Sequence, residues 1–131
     1  MRVLFVDDEP NVLDSIRRQL RKVCDLHTAA SGEEALRLLK ELGPVALVVS
    51  DMRMPGMNGA ELLTKVRESY PDTVRMVLSG YSDISAVTDS INKGAIYRFM
   101  LKPWDDEQLK EEVSGALRHW REMYGPRKDE G

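Results

Sequence analysis

Two alternating periods restrict this chain to very few folds. Apolar runs of strand length recur at Val3–Val6, Leu26–Ala30, Val45–Val49, Val74–Leu78 and Ile96–Leu101, the second of them weak. Segments of helical period lie between and after them. Val12, Leu13, Ile16, Leu20 and Val23 form one stripe, and Ala35, Leu38, Leu39 and Leu42 a second. Leu62, Leu63, Val66 and Tyr70 form a third, and Ile84, Val87 and Ile91 a shorter fourth. Leu109, Val113, Leu117, Trp120 and Tyr124 make a long fifth. Five βα units in this order predict a central parallel sheet with helices on both faces and right-handed crossovers. Val3–Val6 and Val45–Val49 are continuous rather than alternating, as parallel strands covered on both faces are. Ser31-Gly32-Glu33-Glu34 reads as a capping box, with Asn58/Glu61 and Asp105/Gln108 as variants of it. Gly43-Pro44, Tyr70-Pro71 and Gly125-Pro126 read as stops.

A length of 131 residues predicts one domain, placed at residues 1–124, with 125–131 as a polar tail or linker. The net charge of -3 argues against a nucleic-acid-binding surface. Cys24 is the single cysteine, which excludes an internal disulfide and a Cys-based zinc site. His27 and His119 show no ligand spacing. The chain enters a strand directly after Met1-Arg2, without the apolar core of a signal peptide. No apolar run reaches the length of a membrane span. A cytoplasmic, reducing setting is expected.

In open parallel sheets, function gathers at the carboxyl ends of the strands. Those ends carry Asp7 and Asp8, then Asp51, then Ser79, then Lys102-Pro103. Each has an ordinary reading alone: Asp8 as a cap of the first helix, Asp51 and Ser79 as turn residues, Lys102 as a solvated lysine. Together they do not. Three acids at two adjacent strand ends cannot all stay ionised without a counter-charge. Mg²⁺, a hard cation that keeps several waters and takes a couple of carboxylates, suits a shallow site of this kind. A carboxylate beside such a metal, with a lysine and a hydroxyl, is equipment for phosphoryl transfer.

The stretches "VLFVDDEPNVL", "SGEEAL", "LVVSDMRMPGMNGAELL", "RMVLSGYSD" and "RFMLKPWDDEQL" occur in this order. In them the chain resembles the receiver (CheY-like) domain of two-component response regulators, over about residues 2–124. The resemblance implies a flavodoxin-like (βα)5 fold with strand order 2-1-3-4-5. It implies Asp51 as phosphoacceptor, Asp8 as a direct Mg²⁺ ligand, Asp7 as a ligand through water, and the Arg53 backbone carbonyl as a further ligand. Lys102 would pair with the phosphoryl group, Ser79 would bond to it and move on activation, and Phe99 would be the aromatic switch. The Lys102-Pro103 peptide would be cis. The activity implied is that of a phosphorylation-dependent switch in a phosphorelay, not an enzyme beyond its own phosphoryl transfer and slow dephosphorylation. Its partners would be a sensor histidine kinase or phosphotransfer protein, and an effector domain or downstream protein reached through helix 4, strand 5 and helix 5. Direct nucleic-acid and membrane binding are not expected, and a homodimer is left open.

Two departures stand out: the switch aromatic is Phe99 rather than Tyr, and Ser79 replaces the commoner Thr. "YPDTVRMVLSGYSD" with "IYRFMLKPWDD" looks like receivers attached to HD-GYP cyclic-di-GMP phosphodiesterases or to hydrogenase-type sigma-54 activators. Arg53 and Tyr81, two residues after Asp51 and Ser79, are placed to overhang the approach of water and to prolong the phosphorylated form. Three other readings compete. A haloacid-dehalogenase-like phosphatase would carry its nucleophile after the first strand, with two acids separated by one residue. A flavin-binding electron carrier would need a hydroxyl- and glycine-rich loop there. A degenerate receiver acting without phosphorylation would have lost some of Asp7, Asp8, Asp51, Ser79 and Lys102.

Overall fold

The computed structural model describes residues 1–80, 83–93 and 96–125, apart from the side chains at 84, 86, 90 and 92. Among these residues strand and helix alternate without exception. The elements are β1 (Arg2–Val6), α1 (Pro10–Leu20), β2 (Asp25–Ala29), α2 (Gly32–Leu42), β3 (Leu47–Asp51), α3 (Gly59–Ser69), β4 (Val74–Ser79), α4 (Ile84–Asn92), β5 (Arg98–Leu101) and α5 (Asp106–Tyr124). The strands pair in parallel in the order β2-β1-β3-β4-β5. This is the flavodoxin-like arrangement that the alternation and the resemblance led us to expect. No helix among the described residues is long and apolar enough to cross a membrane. Beyond Gly125, the expected tail lies outside the described residues.

Side chains alternate across a strand, so each strand feeds two cores. Val3, Phe5, Val49, Met76 and Leu78 pack with Leu13 and Ile16 of α1 and Leu109 and Val113 of α5. Leu4, Val6, Val48 and Val77 pack with Leu39, Leu62, Leu63 and Val87 from α2, α3 and α4. Both faces are covered, which is why the runs in β1 and β3 are continuous. Complete burial of a leucine such as Leu62 or Leu109 stabilises by roughly 2 kcal/mol.

The helix starts differ in detail from the sequence reading. α1 begins at Pro10, with Glu9 as N-cap and no side-chain bond to the first turn. Asp8 is therefore not a cap; proline at the first helical position, with its fixed φ, sets the start. Ser31 accepts from Glu34 N, while the Glu34 carboxylate accepts from Ala30 N, one residue before the position that closes a capping box. Asn58 and Glu61 close theirs in full on α3. Asp105 accepts from Gln108 N at α5.

Strands β3 and β4 run further than their apolar runs imply. Asp51 sits opposite Leu78, and Ser79 opposite Leu101, as the last ladder residues of their strands. Backbone pairing does not depend on side-chain polarity: Met52 N donates to Leu78 O and Lys102 N to Ser79 O, both at 2.9 Å. At the opposite ends, Val45, Ala46 and Ile96 are buried but precede β3 and β5.

Candidate functional site

β1 and β3 are neighbours, and the chain leaves β1 toward β2 but β3 toward β4, in opposite directions, which opens a crevice between them at the carboxyl edge. Asp7 and Asp8 follow β1 there and Asp51 ends β3. One carboxylate oxygen from each of these three residues lies within 4.8 Å of the other two. Lys102, after β5, reaches across, its Nζ 2.8 Å from Asp51 Oδ1. The Lys102–Pro103 peptide is cis. Ser79 is buried at the end of β4, and its hydroxyl donates to Gly80 O at 2.9 Å.

Asp7 carries the electrostatic tension of the site. It is fully buried, and its Oδ1 accepts from Glu9 N at 2.9 Å. Its Oδ2 is buried with no hydrogen-bond partner. Burial raises its pKa to about 6, helped by the charges of Asp51 and Asp8 and resisted by the Glu9 N–H and Lys102. Burial also works against the Lys102 ammonium, but the hydrogen bond and charge of Asp51, with Asp7 and Glu9 behind, hold its pKa above the ordinary lysine value. Three carboxylates thus face one ammonium. A divalent cation with oxygen ligands fits this donor set: it supplies the missing charge and gives the orphaned Asp7 Oδ2 a partner directly or through water.

The loop after β3 is held tightly. Ser50 Oγ donates to Asp51 O at 3.0 Å, and Gly59 N donates to Met52 O at 2.9 Å. A Cβ on Gly59 would overlap the Asp51 carbonyl oxygen and stand 3.0 Å from Met52 Cα. Those are backbone atoms and cannot swing aside. Gly59→Ala is therefore expected to destabilise the fold by about 2 kcal/mol, by forcing α3 away from the residue that bears the Asp51 carboxylate. Gly32→Ala is the control. Its Cβ would meet only side-chain atoms, Met57 Sδ at 2.8 Å and Met57 Cβ at 3.1 Å, and the expected loss is smaller than that of Gly59→Ala, about 1 kcal/mol. Urea titration of both variants checks the order; equal losses would refute this reading of the loop.

The remaining expected residues are placed as follows. Phe99 is half-buried and packs on the core beneath α4 with Val87 and Ile96, opposite Val77 in the ladder. Arg53 turns toward the start of α4, where its Nε donates to Asp83 Oδ1 at 2.9 Å. The two line an open groove of about 450 Å³ with Met52, Met54, Pro55 and Asn58. Tyr81 lies outside the described residues. Sequence reasoning missed Asp83, whose only signal was an acid just before a helical stripe, and Gly59, which reads as an ordinary first-turn glycine.

The fold and the acid cluster define a class: a parallel α/β domain with a carboxylate site at its switch point. The sequence profile of the response regulator receiver domain matches residues 3–114, and the chain belongs to that family of signalling modules. It is 41% identical over 115 residues to the hydrogenase transcriptional regulatory protein HoxA of Cupriavidus necator, covering 88% of this chain and 24% of that protein. It is 30% identical to the DNA-binding transcriptional regulator NtrC of Escherichia coli, over 95% of this chain and 26% of that protein. Among solved structures it is similar to the signal receiver domain of an HD domain-containing protein from Pseudomonas fluorescens, with a TM-score of 0.84, 35% identity and coverage of 92% and 89% of the two chains. The chain spans about a quarter of the length of the hydrogenase regulators it matches.

Proposed function

We propose that the chain is a phosphorylation-dependent switch that accepts a phosphoryl group on Asp51 from a sensor histidine kinase or phosphotransfer protein. The observation that carries this is the convergence of Asp7, Asp8 and Asp51 within 4.8 Å, with Lys102 bonded to Asp51. Asp8, Asp51 and the Arg53 carbonyl would hold Mg²⁺ directly and Asp7 through water; when bound, the ion supplies positive charge to the phosphoryl oxygens. An Asp51 oxygen attacks phosphorus in line, the bond from phosphorus to the donor histidine breaks, and its electron pair leaves with the imidazole. Lys102 exchanges its contact with the Asp51 carboxylate for one with a phosphoryl oxygen and offsets the charge arriving there.

The Ser79 hydroxyl turns from Gly80 O to the phosphoryl group, and the space it leaves lets the Phe99 ring move inward. That repacks α4, β5 and α5, a two-state change of the kind switches use. On this face Tyr97 stacks on His119 with ring centroids 4.3 Å apart. Tyr97 is 39% exposed, so the pair offers an aromatic anchor to an output domain or protein. The likeness to a hydrogenase regulator and to the receiver of an HD domain-containing protein favours an output of one of those two kinds. The setting proposed is the cytoplasm.

The test is loading with a small acyl phosphate. Incubation with acetyl phosphate and Mg²⁺ is expected to add one phosphoryl group, a gain of about 80 Da in intact mass. Asp51→Asn or excess EDTA is expected to remove the gain. Loading that survives either change would overturn the assignment.

A further inference from the structure

The Arg53–Asp83 ion pair joins the loop after the phosphoacceptor to the start of α4, thirty positions later in sequence. The two partners sit differently: the Arg53 side chain is 72% exposed and that of Asp83 only 14%. Asp83 is also anchored through its backbone, its N–H donating to Gly80 O at 3.1 Å. The same carbonyl accepts the Ser79 hydroxyl at 2.9 Å. Asp83 is thus the node of one continuous network, with Ser79 reached through Gly80 on one side and Arg53 on the other. Its carboxylate makes no hydrogen bond to the first turn of α4, although it occupies the N-cap position; its Oδ1 serves Arg53 instead.

The geometry points to Asp83 as a positioning residue that governs the lifetime of the phosphorylated state by competing for Arg53. This deepens the function proposed above and rests on it. Arg53 lies two residues past Asp51, no more than about 7 Å along the backbone, within reach of a guanidinium side chain. A phosphoryl group on Asp51 brings roughly two negative charges and three acceptor oxygens, a better match to the guanidinium fork than one carboxylate oxygen. The pair with Asp83 is largely open to water on the arginine side, and such pairs are weak. Arg53 is therefore shared: on Asp83 in the resting chain, divided between Asp83 and the phosphoryl group after loading. While on the phosphoryl group it lies over the open side of the site. There it obstructs the water whose oxygen must attack phosphorus as the P–O bond to Asp51 breaks, releasing inorganic phosphate and returning the electron pair to the carboxylate. Asp83 pulls it away and shortens the lifetime. Its release also leaves the Asp83 carboxylate to cap α4, coupling the state of Asp51 to the helix on the output face.

The experiment follows loss of acyl phosphate after loading with acetyl phosphate and removal of the donor. Asp83→Ala is expected to lengthen the half-life about two- to fivefold. Asp83→Glu, which keeps the competing charge, is expected to restore the parent half-life. In an Arg53→Ala background, adding Asp83→Ala is expected to change nothing, because the group it competes for is gone. Backbone exchange in the unloaded protein gives the second readout: residues 83–93 exchange faster in Asp83→Ala, which has neither pair nor cap, and slower in Arg53→Ala, which frees the Asp83 carboxylate to cap α4. A parent that loads normally but keeps its half-life on loss of Asp83 overturns this inference alone. So does an Asp83→Ala effect that persists at full size without Arg53. A parent that never gains the phosphoryl group overturns the functional reading, and this inference falls with it.

Discussion

Asp7→Asn is expected to make the metal-free protein more stable and to weaken its response to Mg²⁺. Asp7 is fully buried, with Oδ2 unpartnered, and its pKa is raised from 3.8 to about 6 by burial first and by Asp51 and Asp8 after it. A carboxyl whose folded pKa is raised holds its proton longer in the fold than in the unfolded chain. Below about pH 4 both states are protonated and the group costs nothing; as pH rises through the folded value the fold must carry a buried charge. The shift corresponds to roughly 3 kcal/mol at neutral pH, lost progressively between about pH 4 and pH 6. Asparagine keeps the acceptor for Glu9 N and replaces the orphaned oxygen with a donor facing two carboxylates. In EDTA the variant should exceed the parent by about 1–3 kcal/mol near pH 7.5, with the gap closing toward pH 4. Added Mg²⁺ should then raise the parent by mass action and raise the variant less at the same concentration. Urea titrations at the two pH values, with and without the metal, decide it. A variant less stable than the parent in EDTA near neutrality, or a gap independent of pH, would sink this account of the site.

The origin of that tension was legible before any coordinates, because it depends only on which residues end which strands. Continuous apolar runs implied strands covered on both faces, and the bonded cores on either side of Val3–Val6 confirm it. A parallel sheet brings its strand ends to one edge, so Asp7, Asp8, Asp51, Ser79 and Lys102 could be gathered without knowing a single contact. Less visible were the features that depend on exact backbone paths. Asp51 and Ser79 belong to their strands rather than following them, since a ladder continues wherever a neighbour offers carbonyls. Taken alone, Asp8 had the ordinary reading of a cap, and that reading fails because the turn into α1 is set by Pro10, with Glu9 at the N-cap position. Gly59 had no sequence mark of its close approach to the Asp51 carbonyl. The Arg53–Asp83 pair joins two loops whose spacing is fixed only by the packing of β3 against β4. Composition and period carry no information about such a distance.

Lys102→Ala is expected to do the reverse of Asp7→Asn: weaken the metal-free protein and make its stability depend on Mg²⁺. Lys102 Nζ is 2.8 Å from Asp51 Oδ1, and the Asp51 side chain is only 7% exposed. Removing the ammonium leaves three carboxylates within 4.8 Å of one another with no cation among the described residues bonded to Asp51. Breaking a fully buried pair costs about 3–5 kcal/mol, because the surviving charge is stranded. Here the lysine side chain is 32% exposed, so water takes over part of its role and about 1–3 kcal/mol is expected in EDTA. Saturating Mg²⁺ should recover most of that loss, since a divalent cation held by Asp8 and Asp51 offsets the same charges. It should not recover phosphoryl loading. In the function proposed above, Lys102 of the parent follows the phosphoryl oxygens as they arrive, a contact that would exist only during and after transfer. Loss of such a preorganised donor slows the step by at least about tenfold. Stability and loading should therefore separate in one variant: Mg²⁺ rescues the first and leaves the second impaired. Two measurements on the same sample suffice, urea titration with and without Mg²⁺ and the rate of mass gain from acetyl phosphate. Unchanged stability in EDTA would show that Asp51 does not need this partner, and an unchanged loading rate would remove Lys102 from the transfer step.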